Sequence, residues 1–246
     1  MTNRPSDASP DIRLLEAFAV AGADVTRSEL CEAAELPASS LHRALARLEA
    51  AGWLAADEGA ASGFALGPAA LSFANRVVHA VPIETGARAV LRAVVEDTGE
   101  TATLNRLLPR EGRAMIVAIE ASRRPLGYAF EVGEVKRLHP GASGNAILAH
   151  LAPEARRRAL AGGPAVPRGH LAAIRRQGFA ESEGARLPGA HGLAAPVFGP
   201  GRAVWGSVVL TIPAHVFEPS RRAAHLAALR RAATELGRML GSGSAA

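Results

Sequence analysis

Between Leu36 and Leu54 the chain reads LPASSLHRALARLEAAGWL, and its apolar positions return every three or four residues. At about 100° per residue, Leu41, Ala44, Leu45, Leu48 and Ala51 share one arc of a helix. Ser39, His42, Arg43, Ala46, Arg47 and Ala50 share the opposite arc. Pro37 disfavours helical geometry at Leu36 but fits a first helical turn, and Gly52 closes the segment. Two shorter helices precede it. Ile12, Leu15, Phe18 and Ala19 recur at helical spacing up to Gly22, and Ser28 to Ala34 reads as a second helix with Thr26 or Arg27 near its N-cap. After Gly52, WLAAD and GFALG read as short strands joined by EGAAS. Three helices and a hairpin predict a winged helix-turn-helix over residues 1–67, a module whose third helix enters the major groove of DNA.

Pro68 opens a linker helix over residues 68–81, with Leu71, Ala74 and Val78 on one stripe. Pro82 interrupts it, and Ile83, Ala87, Val90, Leu91, Val94 and Val95 line a second apolar helix that ends near Gly99. A connector with its own apolar stripe is expected to pack on a symmetry mate. Residues 82–240 form the second domain. TATLNRLL, RAMIVAIEA, YAFEV, LAAPVF and AVWGSVVLTI read as strands, the last two joined by a GPGR hairpin loop. Helical patterns cover Ser143 to Leu151, Glu154 to Leu160, Leu171 to Gln177 and Ser220 to Leu240. The expected fold is α+β with a mainly antiparallel sheet, and residues 241–246, GSGSAA, read as a disordered tail.

Charge complicates the DNA reading. The net charge is +5, yet residues 1–80 hold six arginines against ten acids, a net −4, leaving +9 on the remainder. Bulk basicity therefore points at the wrong half of the chain. The local balance differs, because Pro37 to Leu48 contains Arg43, Arg47 and His42 and no acid. Screening limits charge interactions to about 8 Å at physiological salt, so distant acids need not spoil a local contact. Arg43 and Arg47 can reach phosphates or guanine edges, and Ser39 and Ser40 lie where helix N–H groups favour phosphate. Ala46 and Ala50 keep the face low enough to approach bases. The same face also suits a protein-binding module or a plain solvated surface.

In HPGASGNAILAHL, Gly141 and Gly144 permit close backbone approach just before a helix begins. N–H groups around Ser143, Gly144 and Asn145 could there hold a carboxylate, although ordinary N-capping by Ser143 explains the pattern as well. GASGN is not a nucleophile elbow, because Asn145 stands where that motif needs glycine. His139, His150, His170 and His191 stand singly, without metal spacing or a paired acid nearby in sequence. No enzyme activity, metal or cofactor is expected; a hydrolase using Ser143 is the minor alternative. Cys31 is the only cysteine, which excludes an intrachain disulfide and cysteine-clustered zinc. The longest apolar run, Ala203 to Phe217, is too short to cross a bilayer, and MTNRPSDASPDIRLL has no signal pattern. A cytoplasmic protein with no membrane partner is expected.

Five stretches in order resemble the IclR-type bacterial transcription regulators: LPASSLHRALARLEAAGWL, GFALGPAALSFA, DTGETATL, HPGASGNAILAHL and GFAESEGARLPGAHGLAAPVFGPGRAVWGSVVLT. The resemblance covers about Pro10 to Leu240. It implies an N-terminal winged helix-turn-helix, a linker helix and a C-terminal GAF-like effector domain. It also implies a homodimer or tetramer on a palindromic double-stranded operator, and a small, often acidic, organic effector. By position, Ser39, Ser40, His42, Arg43 and Arg47 match the DNA-binding helix, and Ala142, Ser143, Gly144 and Asn145 match the effector-facing loop. Val209 and Thr211 match pocket positions on the last strand, and Ala195 one on the strand before it. Family members usually carry lysine at Asn145 and commonly glutamate at Ala185, so an effector less acidic than usual becomes possible. A largely apolar lining would suit an aromatic or alkyl acid. The expected function is a transcription regulator whose second domain binds that effector and so modulates operator binding.

Overall fold

The computed structural model describes residues 8–21, 25–57, 59–80, 82–124, 128 and 130–242, and the chain divides into two compact units, 1–80 and 81–246. The first begins with α1 (Pro10–Ala21), α2 (Arg27–Ala34) and α3 (Ala38–Ala50). Thr26 is the N-cap of α2: its hydroxyl accepts from the Glu29 N–H, and the Glu29 carboxylate accepts from the Thr26 N–H at 2.8 Å. This reciprocal pair satisfies two otherwise orphaned donors. Leu41, Ala44, Leu45 and Leu48 of α3 pack with Leu14, Ala17, Phe18, Leu30 and Ala34 into one core. The inward arc of α1 differs from the predicted one. Leu14, Ala17 and Phe18 are buried while Ile12 and Ala19 are exposed, because α1 wedges against both α2 and α3 and its rotation is set by that groove. The hairpin, β1 (Leu54–Ala56) and β2 (Phe64–Leu66), pairs Leu54 with Leu66 and Ala56 with Phe64. In α4 (Pro68–Ala80), Phe73 meets Trp53 with ring centroids 5.3 Å apart, and Leu71 and Phe73 remain more than half exposed.

The second unit opens with α5 (Pro82–Thr98), followed by β3 (Thr101–Leu108), β4 (Arg113–Glu120) and β5 (Val135–Arg137). Three helices come next: α6 (Ala142–Leu148), α7 (Pro153–Leu160) and α8 (His170–Gln177). The chain then returns through β6 (Ala180–Glu183), β7 (Ala190–Phe198) and β8 (Val204–Pro213) to α9 (Arg222–Ser242). The six strands form one antiparallel sheet in the order β5-β4-β3-β8-β7-β6. α5 and α9 cover one face, where Leu91, Val94, Leu229 and Leu236 pack on Leu104, Leu193, Val208 and Leu210. The described part of the α5 stripe is thus buried in its own unit's core instead of awaiting a symmetry mate. α6 and α8 cover part of the other face around Ala146, Ile174, Ala194 and Val209.

YAFEV forms no strand among its described residues. Glu131 to Glu134 turn instead, with Gly133 at φ 93, and the chain joins the sheet three residues after YAFEV ends: Val135 pairs with Met115 and Arg137 with Arg113. Gly133 N–H donates to the Ile116 carbonyl at 2.8 Å, so the turn is itself tied to β4 just ahead of the regular pairing. α6 stops at Leu148, short of Leu151, and Gly241 and Ser242 extend α9 into the predicted tail; residues 243–246 lie outside the described residues. Among the described residues no helix is long and apolar enough to cross a membrane.

Candidate functional site

The outward face of α3 carries Ser39, His42, Arg43, Ala46, Arg47 and Ala50, all exposed, with Ser40 half-buried at its edge. No side chain caps the helix at Pro37, so its first N–H groups are left available to an anion. The arginines of this unit have unequal surroundings. Arg13 donates to the Glu35 carbonyl at 2.6 Å, and Arg27 donates to the Ser62 carbonyl at 2.8 Å while lying over the Phe64 ring. Arg47 is held by Asp11 of α1, with Nη2 2.6 Å from Oδ1 and Nε 3.1 Å from Oδ2; these bonds to Asp11 hold the guanidinium above its ordinary pKa. Arg43 makes no hydrogen bond or ion pair among the described residues.

In the second unit, the sheet face away from α5 and α9 floors an open-mouthed cavity with an interior volume of about 60 Å³. Strand alternation decides the floor. Thr103 and Asn105 of β3 and Val209 and Thr211 of β8 point into it, while Ala102, Leu104, Val208 and Leu210 point to the opposite core. Asn105 donates from Nδ2 to Thr103 Oγ1 at 3.1 Å. Ala142 and Ser143 form one wall, and Ala185, Arg186 and Leu187, from the loop between β6 and β7, form another. Phe130 and Lys136 close a third side.

Two cations therefore reach this cavity. Arg186 donates from Nη2 to the carbonyls of Arg137 and Pro140, and its Nε–H is buried without a partner among the described residues. Burial pushes its pKa below the ordinary guanidinium value, against the opposing pull of Glu134. Lys136 Nζ lies 2.9 Å from Glu134 Oε2 and 4.8 Å from the centre of the Phe130 ring. No aspartate or glutamate lines the cavity among the described residues.

Of the residues expected at this pocket, Ala142, Ser143, Val209 and Thr211 line it. Gly144 and Asn145 do not. Gly144 lies so close to the Leu138 backbone that a Cβ would overlap the Leu138 carbonyl. The Asn145 N–H donates to the Gly141 carbonyl, and its side chain sits between His139 Nδ1 at 2.8 Å and His170 Nε2 at 3.3 Å. The Ala142 N–H donates to Ser182 Oγ at 3.0 Å, which takes up another donor of this loop. Ala195 pairs with Val208 and is buried on the α5–α9 side, one pleat out of phase with the cavity. Sequence reasoning passed over Thr103 and Asn105, although the alternation in TATLN marks them. Arg186 and Lys136, separated by fifty residues, gave no comparable signal.

A second polar cluster joins β6, β7 and α9. His191 Nε2 lies 2.8 Å from Glu181 Oε1, Arg222 Nε donates to Glu181 Oε2 at 2.9 Å, and the imidazole stacks on Phe217 at 3.6 Å. Burial raises the Glu181 pKa, but the bonds from Arg222 and His191 together outweigh it and hold the carboxyl below its ordinary value. No hydroxyl or thiol reaches this imidazole among the described residues, so the acid–histidine pair has no nucleophile to activate. No group of three or more potential metal ligands occurs among them either.

A winged helix with an arginine-bearing outer face, followed by an α+β unit with a cavity over its sheet, defines a DNA-binding regulator with a ligand-binding domain. The family model for the IclR helix-turn-helix domain matches residues 12–58, and that for the bacterial transcriptional regulator IclR C-terminal domain matches residues 75–238. The chain belongs to the IclR family of transcription regulators. It is 29% identical over 208 residues to the HTH-type transcriptional regulator BhcR of Paracoccus denitrificans, covering 79% of this chain and 72% of that protein. The structure of an IclR transcriptional regulator from Silicibacter sp. TM1040 is 31% identical and superposes with a TM-score of 0.72 over 95% of this chain and 96% of that one. An IclR homolog from Microbacterium hydrocarbonoxydans, complexed with 4-hydroxybenzoate, shares the fold with a TM-score of 0.76 at 23% identity, over 94% and 98% of the two chains. These relatives are regulators and not enzymes, which leaves the hydrolase alternative without support.

Proposed function

We propose that this regulator responds to a small organic carboxylate with an aromatic or short alkyl body, bound in the cavity of the second unit. The observation that carries this reading is the convergence of Arg186 and Lys136 on a cavity whose described lining contains no acid. Cations in a partly enclosed space strengthen their attraction for an anion, because water screens them less there. The family's lysine is missing at Asn145, but charge re-enters chiefly from Arg186, since Lys136 is paired with Glu134, so the ligand need not be less acidic than usual. Ile116, Phe130, Leu187 and Val209 supply the apolar contact for a ring or chain. The 4-hydroxybenzoate carried by the Microbacterium homolog belongs to the same chemical class.

On the first unit, Ser39, Ser40, His42, Arg43 and Arg47 are the proposed DNA contacts. A homodimer or tetramer on a palindromic operator would bring two such faces to successive grooves, and the exposed Leu71 and Phe73 of α4 support self-association. Such a regulator works where the chromosome is, in the cytoplasm.

The effector reading is tested by calorimetric titration with benzoates and short alkyl acids, each beside its neutral amide. At least one acid should bind, its amide at least tenfold more weakly, and Arg186→Met should cost the acid about tenfold or more, or ~1.4 kcal/mol. Equal binding of acid and amide, or an unchanged affinity in Arg186→Met, would overturn it.

A further inference from the structure

The contact between Asp11 and Arg47 is distinguished by which edge of the guanidinium it occupies. Nε lies 3.2 Å from Oδ1 and 3.1 Å from Oδ2, and Nη2 lies 2.6 Å from Oδ1. The carboxylate therefore takes the side edge of the planar fork. Nη1, on the end edge, donates to nothing among the described residues, and the Arg47 side chain remains 53% exposed. Two donors on that end edge match the spacing of the O6 and N7 acceptors that guanine shows in the major groove.

We infer that Asp11 is a positioning residue, which clamps the side edge of Arg47 so that its end edge is presented to a guanine. This rests on the DNA-binding reading of α3 and adds to it a partner base and a residue outside the helix. A guanidinium fixed before binding gives up less rotamer freedom on contact, so the bond becomes more selective. The chemistry favours a base edge over a phosphate. The Asp11–Arg47 pair is neutral as a unit and releases few counterions, while Asp11 itself repels a phosphate. Arg43, one turn earlier, has no such neighbour among the described residues. A first unit with a net charge of −4 gains little from indiscriminate attraction to DNA and must depend on directional contacts.

The test is selection of random duplexes on the full-length protein and on Asp11→Ala, Asp11→Asn and Arg47→Ala, each checked for an unchanged thermal midpoint. Asp11→Asn keeps the side-chain shape and serves should the alanine variant fail to fold. Wild-type protein should recover an inverted repeat, with a guanine in each half-site that Arg47→Ala no longer requires. Both Asp11 variants should lower the preference for that guanine by about tenfold and leave the other positions intact. Replacing it by 7-deazaguanine, which lacks N7, should weaken wild type more than the Asp11 variants and leave Arg47→Ala unaffected. A repeat recovered with the same guanine preference by all Asp11 variants would overturn the inference and spare the DNA reading. So would a uniform gain in affinity for every duplex, the mark of a phosphate contact released from competition. If wild type enriches no sequence, the DNA reading itself fails and takes the inference with it.

Discussion

Both ring nitrogens of His225 are buried without a hydrogen-bond partner among the described residues. Burial pushes its pKa below the ordinary histidine value, and Arg221, Arg124 and His191 push it further in the same direction. His150 is lowered too, by burial first and then by Arg175. Both rings therefore stay neutral in the folded chain at a pH where the unfolded chain takes up protons. The unfolded state then binds more protons, so stability rises with pH and is lost as pH falls below about 6.5. The thermal midpoint should fall from pH 7 to pH 5, and His225→Leu should flatten that slope. A midpoint that stays level over the range in wild type would contradict the assignment. At this scale the sequence shows residue types but hides their neighbours. His191 looks solitary because its partner, Glu181, lies ten residues away on a neighbouring strand. Arg186 and Lys136 were illegible for the same reason: a loop and an edge strand brought them together.

Elements whose period is local could be read directly. α3 repeats its apolar residues every three to four positions, and Leu41, Ala44, Leu45 and Leu48 are all buried as that period demands. YAFEV failed as a strand because its alternation says nothing about the turn at Gly133 that delays pairing with β4. Ala195 failed as a pocket residue by a single pleat, which cannot be fixed without knowing which face of β7 the helices cover. The seven-residue α6 depends on a contact that sequence alone marks only as a glycine. Its backbone at Gly144 lies against the Leu138 carbonyl, and any side chain there must push the helix away. Gly144→Ala should destabilise the second unit by about 1–3 kcal/mol in urea unfolding and weaken ligand binding, since Ala142 and Ser143 move with the helix. An alanine variant of wild-type stability would show that α6 is not seated as described.

For the whole molecule, the order of the parts was legible and the charge was informative in an unexpected way. The acidic first unit carries the proposed DNA face, while the basic remainder carries the cavity cations. A regulator of this kind works through a coupling free energy between its two ligands. Typical values of about 1–3 kcal/mol correspond to a shift of roughly 5- to 150-fold in operator affinity. That coupling is reciprocal, so operator DNA should change the affinity for the carboxylate by the same factor as the carboxylate changes the affinity for operator. Titrations in both directions on the full chain measure it, and unequal factors would mean that a third species, such as a change of oligomer, enters the equilibrium.

The alternation along β8 has a mechanical consequence. Val209 and Thr211 touch the cavity, whereas Leu210, between them, is packed in the core that also holds Leu91 and Val94 of α5. Any occupant of the cavity would thus press on the same ribbon of backbone that α5 packs against from the other side. Since α5 starts at Pro82, a lateral shift of β8 would be passed to the first helix of the second unit.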